Sequence, residues 1–195
     1  MAGHFEALPG GGAAVALDEV EIAILRSLAV QLMELIGPGD EPVEGEDPLA
    51  ALFAEGPSEA PSDPALKRLF PDAYADESEE LRSAAADFRR FTENDLRSRK
   101  RQDALLVIRG LDGLSTHGDE DAVVLKLTAD ESRAWLGALN DLRLTIGTRL
   151  EVADEDESGE LYRLPDSDPR KPMVMAYLWL GALQESLVET LMPGA

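Results

Sequence analysis

The side chains that could do chemistry in this chain are mainly carboxylates and arginines. The 195-residue sequence has 39 acidic and 18 basic side chains, two histidines and no cysteine. Without cysteine, the chain offers no thiol nucleophile, no thiolate metal ligand and no disulfide switch. His4 and His117 lie in glycine-containing segments, where we expect solvated histidines rather than bases or metal ligands. Most pairs of a nucleophile and a base therefore cannot be assembled from these residues.

The familiar catalytic and ligand-binding motifs are missing from the sequence as well. The glycines at 10–12 lack the lysine of a phosphate-binding loop, and the acidic run at 154–157 lacks the residue spacing of a calcium loop. No G-x-S-x-G or H-E-x-x-H sequence occurs. A hydrolase or metal binder built from carboxylates alone is the remaining alternative, and it would need a pocket with converging Asp or Glu side chains of raised pKa. We predict that the protein is not an enzyme and uses no cofactor or metal.

One stretch of the chain concentrates positive charge. Residues 82–101 hold seven basic and three acidic side chains, a net charge of +4, whereas the whole chain carries −21. Helical spacing lets several of these side chains share one face. They predict a surface that contacts an acidic partner or DNA phosphates, and the alternative is that they pair with the chain's own carboxylates. The candidate contact residues are Arg89, Arg90, Arg97 and Arg101, with Arg143 and Arg149 from a later helix.

The overall charge bears on the kind of partner. A net charge of −21 repels nucleic acid and anionic lipid and favours a partner with a basic surface.

The sequence shows no segment typical of membrane insertion or export. The longest apolar run, residues 173–183, has eleven residues. That is short of the roughly 20 that a membrane helix needs. The first residues also lack the basic and apolar segments of a secretory signal, so no export is implied.

The element that organises the predicted core covers residues 128–150. Thr128 and Glu131 form a capping box, in which hydroxyl and carboxylate each bind a backbone N–H group at a helix start. Apolar residues follow at spacings of three and four, as in a core-facing helix. They are Trp135, Leu139, Leu142, Ile146 and Leu150. We expect Trp135 to be fully buried.

Four further helices have their own start signals. Asp18 begins the first, Asp63 a short second, and Pro172 the last. Ser78 begins the third, which runs to about residue 109 as one long helix or as two in near-continuity. The buried face predicted for the first is Val20, Ile24, Leu28, Leu32 and Leu35. For the long helix it is Leu81, Ala84, Ala85, Phe88, Phe91 and Leu96, followed by Ala104, Leu105, Val107 and Ile108. For the last helix it is Val174, Tyr177, Leu178, Leu180, Leu183, Leu187 and Leu191.

The strands and loops complete a mainly α fold. Short apolar runs flank the glycine-rich turn at 9–12, and the β-branched run at 122–127 predicts a third strand. We predict one domain, 1–195, in which the N-terminal hairpin and this strand form an edge sheet beside the helices. Residues 40–63 contain eight acidic side chains, four prolines and no basic side chain, which predicts a mobile acidic loop. Leu49, Leu52 and Phe53 within it could form a helical turn that docks on this domain or on a partner.

Three segments of the sequence resemble an actinobacterial family catalogued as a domain of unknown function, whose characterised branch is the oxidative-stress transcriptional regulator AosR. They are the hairpin and helix at 3–36, LTADESRAWLGALNDLRLTIGTRL at 127–150 and AYLWLGALQESLVETL at 176–191. The resemblance implies a cytoplasmic transcriptional regulator that acts with a stress-response sigma factor or RNA polymerase. It also implies redox sensing through a cysteine pair, which this chain lacks. Oxidation of Met33, Met173, Met175 or Met192 is a chemical substitute, but we expect these positions to be buried.

Three functions therefore stay open. The first is a regulator that binds a sigma factor or RNA polymerase through protein contacts. The second is a regulator that touches DNA through the Arg89–Arg101 patch, with the small sheet acting as a wing. The third is a non-catalytic acidic interaction module of another pathway.

Overall fold

A computed structural model of the chain describes residues 3–37, 56–74, 78–114, 122–152 and 163–192. Within these ranges the fold is mainly α, with a three-stranded antiparallel sheet at one edge, as predicted. The strands are β1 (Glu6–Leu8), β2 (Gly12–Leu17) and β3 (Val123–Leu127). The helices are α1 (Glu19–Ile36), α2 (Pro64–Leu69), α3 (Glu79–Asp112), α4 (Ala129–Arg149) and α5 (Lys171–Leu191).

The N-terminal hairpin and β3 pair as the sequence predicted. β2 lies in the centre and pairs antiparallel with both β1 and β3. The turn between β1 and β2 contains Gly10 and Gly11 at φ 95° and 87°, a backbone conformation that favours glycine. The hydrogen-bonded register places Ala13 opposite Leu127 and Val15 opposite Leu125, so that their buried side chains share the core face of the sheet.

The two predicted capping boxes hold the starts of α1 and α4. The Asp18 carboxylate accepts a hydrogen bond from the Glu21 backbone N–H at 2.8 Å, and the Glu21 carboxylate accepts one from the Asp18 N–H at 3.0 Å. Thr128 and Glu131 form the same reciprocal pair at 3.3 and 2.8 Å. Each of these helices can begin directly after a strand, because the capping box gives hydrogen-bond partners to the first N–H groups of the helix, which have none within the helix.

α4 packs against α1, α2, α3 and α5 and lies at the centre of the core. All five residues of its predicted stripe are buried, and Trp135 is only 1% exposed. The Phe5 ring meets the Trp135 ring edge-on, with 6.1 Å between ring centroids. The Phe5 backbone N–H also donates to the buried Ser186 hydroxyl of α5 at 3.1 Å. The segment before β1 is thus tied to two core helices.

The predicted starts of α2, α3 and α5 are also confirmed. The Asp63 carboxylate accepts hydrogen bonds from two backbone N–H groups in the first turn of α2, at 2.8 and 3.1 Å, and Ser78 caps α3. α3 then continues as a single helix of 34 residues. In α5, Pro172 lies in the first turn. The fully buried members of the predicted α5 stripe are Val174, Leu180, Leu183 and Leu187.

The buried face predicted for α1 is partly wrong. Leu32 is buried and Leu28 packs against the core as predicted, whereas Val20 and Ile24 are exposed and Leu25, Ala29 and Ile36 are buried instead. The helix is apolar on several sides, so the spacing of apolar residues could not decide between two adjacent stripes.

The early face predicted for α3 is partly wrong too: Ala85 is buried as predicted, but Phe88, Phe91 and Leu96 are exposed. Arg89 and Glu93 are buried in their place.

The prediction that the methionines are buried also needs correction. Met173, Met175 and Met192 are exposed rather than buried, since they lie near the ends of α5 and away from its apolar stripe.

Several predicted features lie outside the described residues. They are most of the 40–63 loop including Leu49–Phe53, His117, and the acidic run at 154–157. No helix in the described part of the chain has the length and apolar character needed to cross a membrane.

Replacing Trp135 with alanine tests the centre of this core. We expect Trp135→Ala to lower the free energy of unfolding by about 3 to 5 kcal/mol, because it leaves a large cavity between α4 and its neighbours. The measurement is urea denaturation. Val124→Ala, on the exposed side of β3, is the control and should change stability by less than about 0.5 kcal/mol. Equal unfolding midpoints for Trp135→Ala and the parent would contradict this placement.

Candidate partner-binding surface

The carboxylate of Glu93, in the first half of α3, joins two of the predicted contact arginines. Glu93 is 3% exposed, and one of its oxygens accepts a hydrogen bond from Arg89 Nη1. The other oxygen accepts from Arg97 Nε at 2.9 Å and Nη2 at 2.7 Å. Both arginines lie four residues from Glu93, so the helix brings all three side chains to one face. We call Arg89, Glu93 and Arg97 the Glu93 cluster.

Arg89 also binds the segment that follows α2. Its Nη2 donates to the Phe70 carbonyl and to the Asp72 carboxylate, both at 2.9 Å. Burial opposes the charge on this guanidinium, but the hydrogen bonds to Asp72 and Glu93 outweigh burial and raise the Arg89 pKa. The residue is therefore a charged anchor between α3 and residues 70–72, and little of its surface is left for another molecule.

Arg97 and Arg101 bind the carboxyl end of α1. Arg97 Nη1 donates to the Ile36 carbonyl at 2.5 Å, and Arg101 Nη1 donates to the Gly37 carbonyl at 2.6 Å. The last carbonyls of a helix have no partner within it, and the helix dipole places negative charge there, so cations stabilise this end. The Arg97 guanidinium also lies 4.4 Å from the centroid of the Phe70 ring.

The two candidate arginines of α4 lie elsewhere in the fold. Arg143 donates to Gln184 Oε1 at 2.7 Å and lies over the Tyr177 ring, 5.3 Å from its centroid. Arg149 donates to the Asp63 carboxylate at 2.7 Å and is partly exposed. The six candidate residues consequently do not form one basic surface. Their role in partner contact stays a prediction.

Because Arg89 and Glu93 face inward, the aromatic side chains near them face outward. Phe88 is 52% exposed and Phe91 is 67% exposed. The Arg90 guanidinium lies over the Phe91 ring, 5.2 Å from its centroid. We call Phe88 and Phe91 the aromatic ridge. Exposed large aromatic side chains with a neighbouring arginine are typical of protein interfaces.

Sequence reasoning missed this ridge. The signal that could have found it is the Arg–Glu–Arg series at positions 89, 93 and 97, whose four-residue spacing allows two ion pairs along one helix face. A face that satisfies its own charges can be buried, and Phe88 and Phe91, one and two positions from Arg89, are then turned towards the outside.

A second polar contact joins α3 to α4. Lys100 Nζ donates to the buried Asp141 carboxylate at 2.6 Å. Asp103 Oδ2 approaches Gly137 so closely that a Cβ there would lie 2.8 Å away. Burial raises the pKa of both carboxyl groups, and the nearby Asp141 carboxylate also raises the pKa of Asp103. The Asp103 and Asp141 carboxyl groups thus lie in the contact between α3 and α4, where Lys100 binds Asp141.

The widest described groove is not lined by carboxylates, and the 230 Å³ groove beside Phe88 has Asp72 and Glu93, both bound to Arg89. A groove of about 780 Å³ lies between α1, α4 and α5, but neither Asp nor Glu is among the side chains that line it. In the five described ranges, no group of three or more His, Asp or Glu side chains is arranged to hold a metal ion.

Replacing Glu93 with glutamine tests the Glu93 cluster. Glu93→Gln leaves two neighbouring guanidiniums without their shared carboxylate, so we expect a loss of about 3 to 5 kcal/mol in unfolding free energy. Asp130→Asn, which breaks the exposed Asp130–Arg133 pair, is the matched control and should have an effect below about 0.5 kcal/mol. The measurement is urea denaturation, and similar effects of the two substitutions would contradict the buried cluster.

The Asp103 carboxyl predicts a pH dependence. Its pKa is raised above the ordinary 3.8, so the unfolded chain loses this proton at a lower pH than the folded chain does. Folding therefore loses stability as the pH rises from that ordinary value through the folded-state pKa. Asparagine cannot ionise, so the stability of Asp103→Asn relative to the parent should increase from pH 4 towards pH 7. Urea denaturation at several pH values measures this difference, with exposed Asp95→Asn as control. A difference that stays constant or shrinks over this range would contradict the prediction.

Comparisons with known proteins agree with the resemblance read from the sequence. The chain matches the model of a family described as a domain of unknown function, DUF2017, over residues 2–191. It is 32% identical over 183 residues to the putative oxidative stress regulator AosR of Mycobacterium leprae, a match that covers 88% of this chain and 79% of that protein. It is 31% identical over 186 residues to the oxidative stress regulator AosR of Mycobacterium bovis and of Mycobacterium tuberculosis, with 88% of this chain and 78% of each relative covered. No solved structure matches the chain significantly. The chain thus belongs to the DUF2017 family and is similar over most of its length to these regulators.

Proposed function

We propose that this protein is a cytoplasmic transcriptional regulator of an oxidative-stress response, and that it binds a stress-response sigma factor or RNA polymerase. The regulatory role is supported by relatives that are named oxidative stress regulators and match most of the chain. The observation that carries the mode of action is the aromatic ridge on α3. Truncation of exposed aromatic side chains at the centre of a protein interface commonly costs more than 1 kcal/mol of binding energy.

The geometry favours a protein partner over DNA. Arg89, Arg97 and Arg101 direct their charged groups to Glu93, Asp72 and backbone carbonyls within the fold. Phosphate contacts would have to compete with these bonds, and a net charge of −21 opposes the approach of DNA. The same surface would also suit an acidic interaction module of another pathway, which the capture experiment below distinguishes.

The proposed binding does not depend on thiol chemistry. The chain has no cysteine, so the cysteine-pair switch implied by the resemblance does not extend to this member. The interaction role needs only the surface of α3. We therefore expect partner binding under both reducing and oxidising conditions.

Affinity capture from the host tests this function. The tagged parent protein is compared with Phe88→Ser/Phe91→Ser and with Val20→Ser/Ile24→Ser, which alters another exposed apolar pair on α1. We expect the parent and the α1 variant to recover a sigma factor or an RNA polymerase subunit. The ridge variant should recover about tenfold less, because the interface loses its aromatic contacts.

Three results would contradict the proposal. Absence of any transcription protein, with or without oxidant, would argue for another pathway. Recovery that is unaffected by the ridge substitutions would exclude the ridge as the interface. Recovery that disappears on nuclease treatment would indicate that DNA carries the contact.

A further inference from the structure

The aromatic ridge has an acidic border. Asp87 lies one residue before Phe88 and four before Phe91, and Asp95 lies four residues after Phe91. Helical spacing places both carboxylates beside the ridge, and both residues are exposed. Glu80 is also exposed, two turns before Asp87.

Three arginines of this part of α3 face away from that border, whereas Arg99, four residues after Asp95, is exposed at its far end. Arg89 and Arg97 bind the Glu93 carboxylate on the inner face. Arg82 lies nine residues from Phe91, which corresponds to the opposite side of the helix. Arg90 is the basic side chain nearest the ridge, and its guanidinium covers the Phe91 ring. The outer face consequently presents aromatic rings with carboxylates along their length.

The shape of this face fits an elongated partner element. Leu81 and Ala84 are half-buried and continue the row of Phe88 and Phe91 at spacings of three and four. From Leu81 to Asp95 the row extends about 21 Å, the length of a helix of about 14 residues. A partner helix lying along α3 would meet the whole row, as in other helix-in-groove complexes.

A small groove beside Phe88 offers a place for one anchoring side chain. It has a volume of about 230 Å³ and lies between α3 and the segment after α2. Its apolar lining comes from Phe70, Pro71, Ala73, Phe88 and Leu96, and its polar lining from Asp72, Arg89, Thr92 and Glu93. An apolar side chain in such a groove would be desolvated next to the aromatic ridge, which is the usual environment of an interface hot spot.

Charge decides between the candidate occupants. A second copy of this chain would bring another −21 charges and place identical carboxylates near each other. A basic helix would instead gain attraction from Asp87, Asp95 and the field of the whole molecule.

We propose that the aromatic ridge and its groove bind a basic amphipathic helix of a partner protein. Its apolar side chains contact Phe88 and Phe91, one of them enters the groove, and its lysine or arginine side chains pair with Asp87 and Asp95. The assignment of this helix to a transcription protein rests on the function proposed above, whereas the chemistry of binding rests on the surface of α3.

The test uses a fluorescein-labelled helical peptide with leucine at helical spacing and lysine on the other positions. A peptide with the same leucines and glutamate in place of lysine is the control. Fluorescence anisotropy measures binding to the full-length chain at low and high salt. We compare the parent with Phe88→Ser/Phe91→Ser, Asp87→Lys/Asp95→Lys and the α1 control Val20→Ser/Ile24→Ser.

We expect the parent and the α1 control to bind the lysine peptide equally and to bind the glutamate peptide far less. The ridge variant should bind about tenfold more weakly, since the aromatic anchors are lost. The Asp87→Lys/Asp95→Lys variant should also bind more weakly and show less salt dependence, because rim charges act mainly through screened attraction. Circular dichroism should show that all variants keep the parent's helix content.

Other outcomes would overturn the inference. Equal binding by the parent and the ridge variant would mean that the peptide senses only the overall charge. Equal affinity for both peptides would exclude a basic partner. Sedimentation that shows parent dimers, lost on ridge substitution, would identify a second copy as the occupant. Ridge-dependent capture of a sigma factor without peptide binding would refute this inference alone, and peptide binding without such capture would refute only the proposed function.

Discussion

The buried carboxylate of Glu93 is the constraint on which the orientation of α3 depends. It accepts hydrogen bonds from guanidiniums one turn before it and one turn after it. The Glu93 cluster has two guanidiniums and one carboxylate, and its remaining positive charge faces the Asp72 carboxylate and the Phe70 and Ile36 carbonyls. A buried ion pair is costly to disrupt because the remaining charge stays out of water. Rotation of this part of α3 about its axis would break all of these bonds together, so the helix face is fixed.

The rest of the architecture follows from that orientation. Arg97 and Arg101 reach the carboxyl end of α1, and Arg89 holds the segment after α2, so residues 89–101 of α3 make polar bonds to both neighbours. In the second half, Ala104, Val107, Ile108 and Leu111 join the apolar core. One helix thus combines an apolar half that stabilises the domain with a charged half whose outer face carries the aromatic ridge. The arginines that seemed available from the sequence are what stabilise this arrangement.

The sequence predicted the parts of the fold that depend on local signals. The capping residues Asp18 and Thr128 act within a few residues of their partners, and the Trp135 stripe has a single apolar face that leaves no choice of side. The face of α3 could not be predicted in this way. Hydrophobicity alone favours burial of Phe88 and Phe91 over Arg89. Apart from Glu93, the acceptors bound by Arg89, Arg97 and Arg101 are 17 to 64 residues away from their arginines along the chain. The candidate contact residues were predicted from the local density of positive charge. That density does not reveal which distant acceptors an arginine will bind in the fold.

The lack of cysteine allows a direct test of how α3 is oriented. Single cysteines can be placed at Phe91, on the proposed outer face, and at Ala85, which is buried on the inner face of the same half of the helix. The measurement is the rate at which each thiol reacts with a maleimide under native conditions. If Glu93 fixes the helix as described, Phe91→Cys reacts at nearly the rate of an unfolded chain, and Ala85→Cys reacts orders of magnitude more slowly because it must wait for local opening. Equal rates, or faster reaction at Ala85→Cys, would contradict the inward arginines and the outward aromatic ridge together.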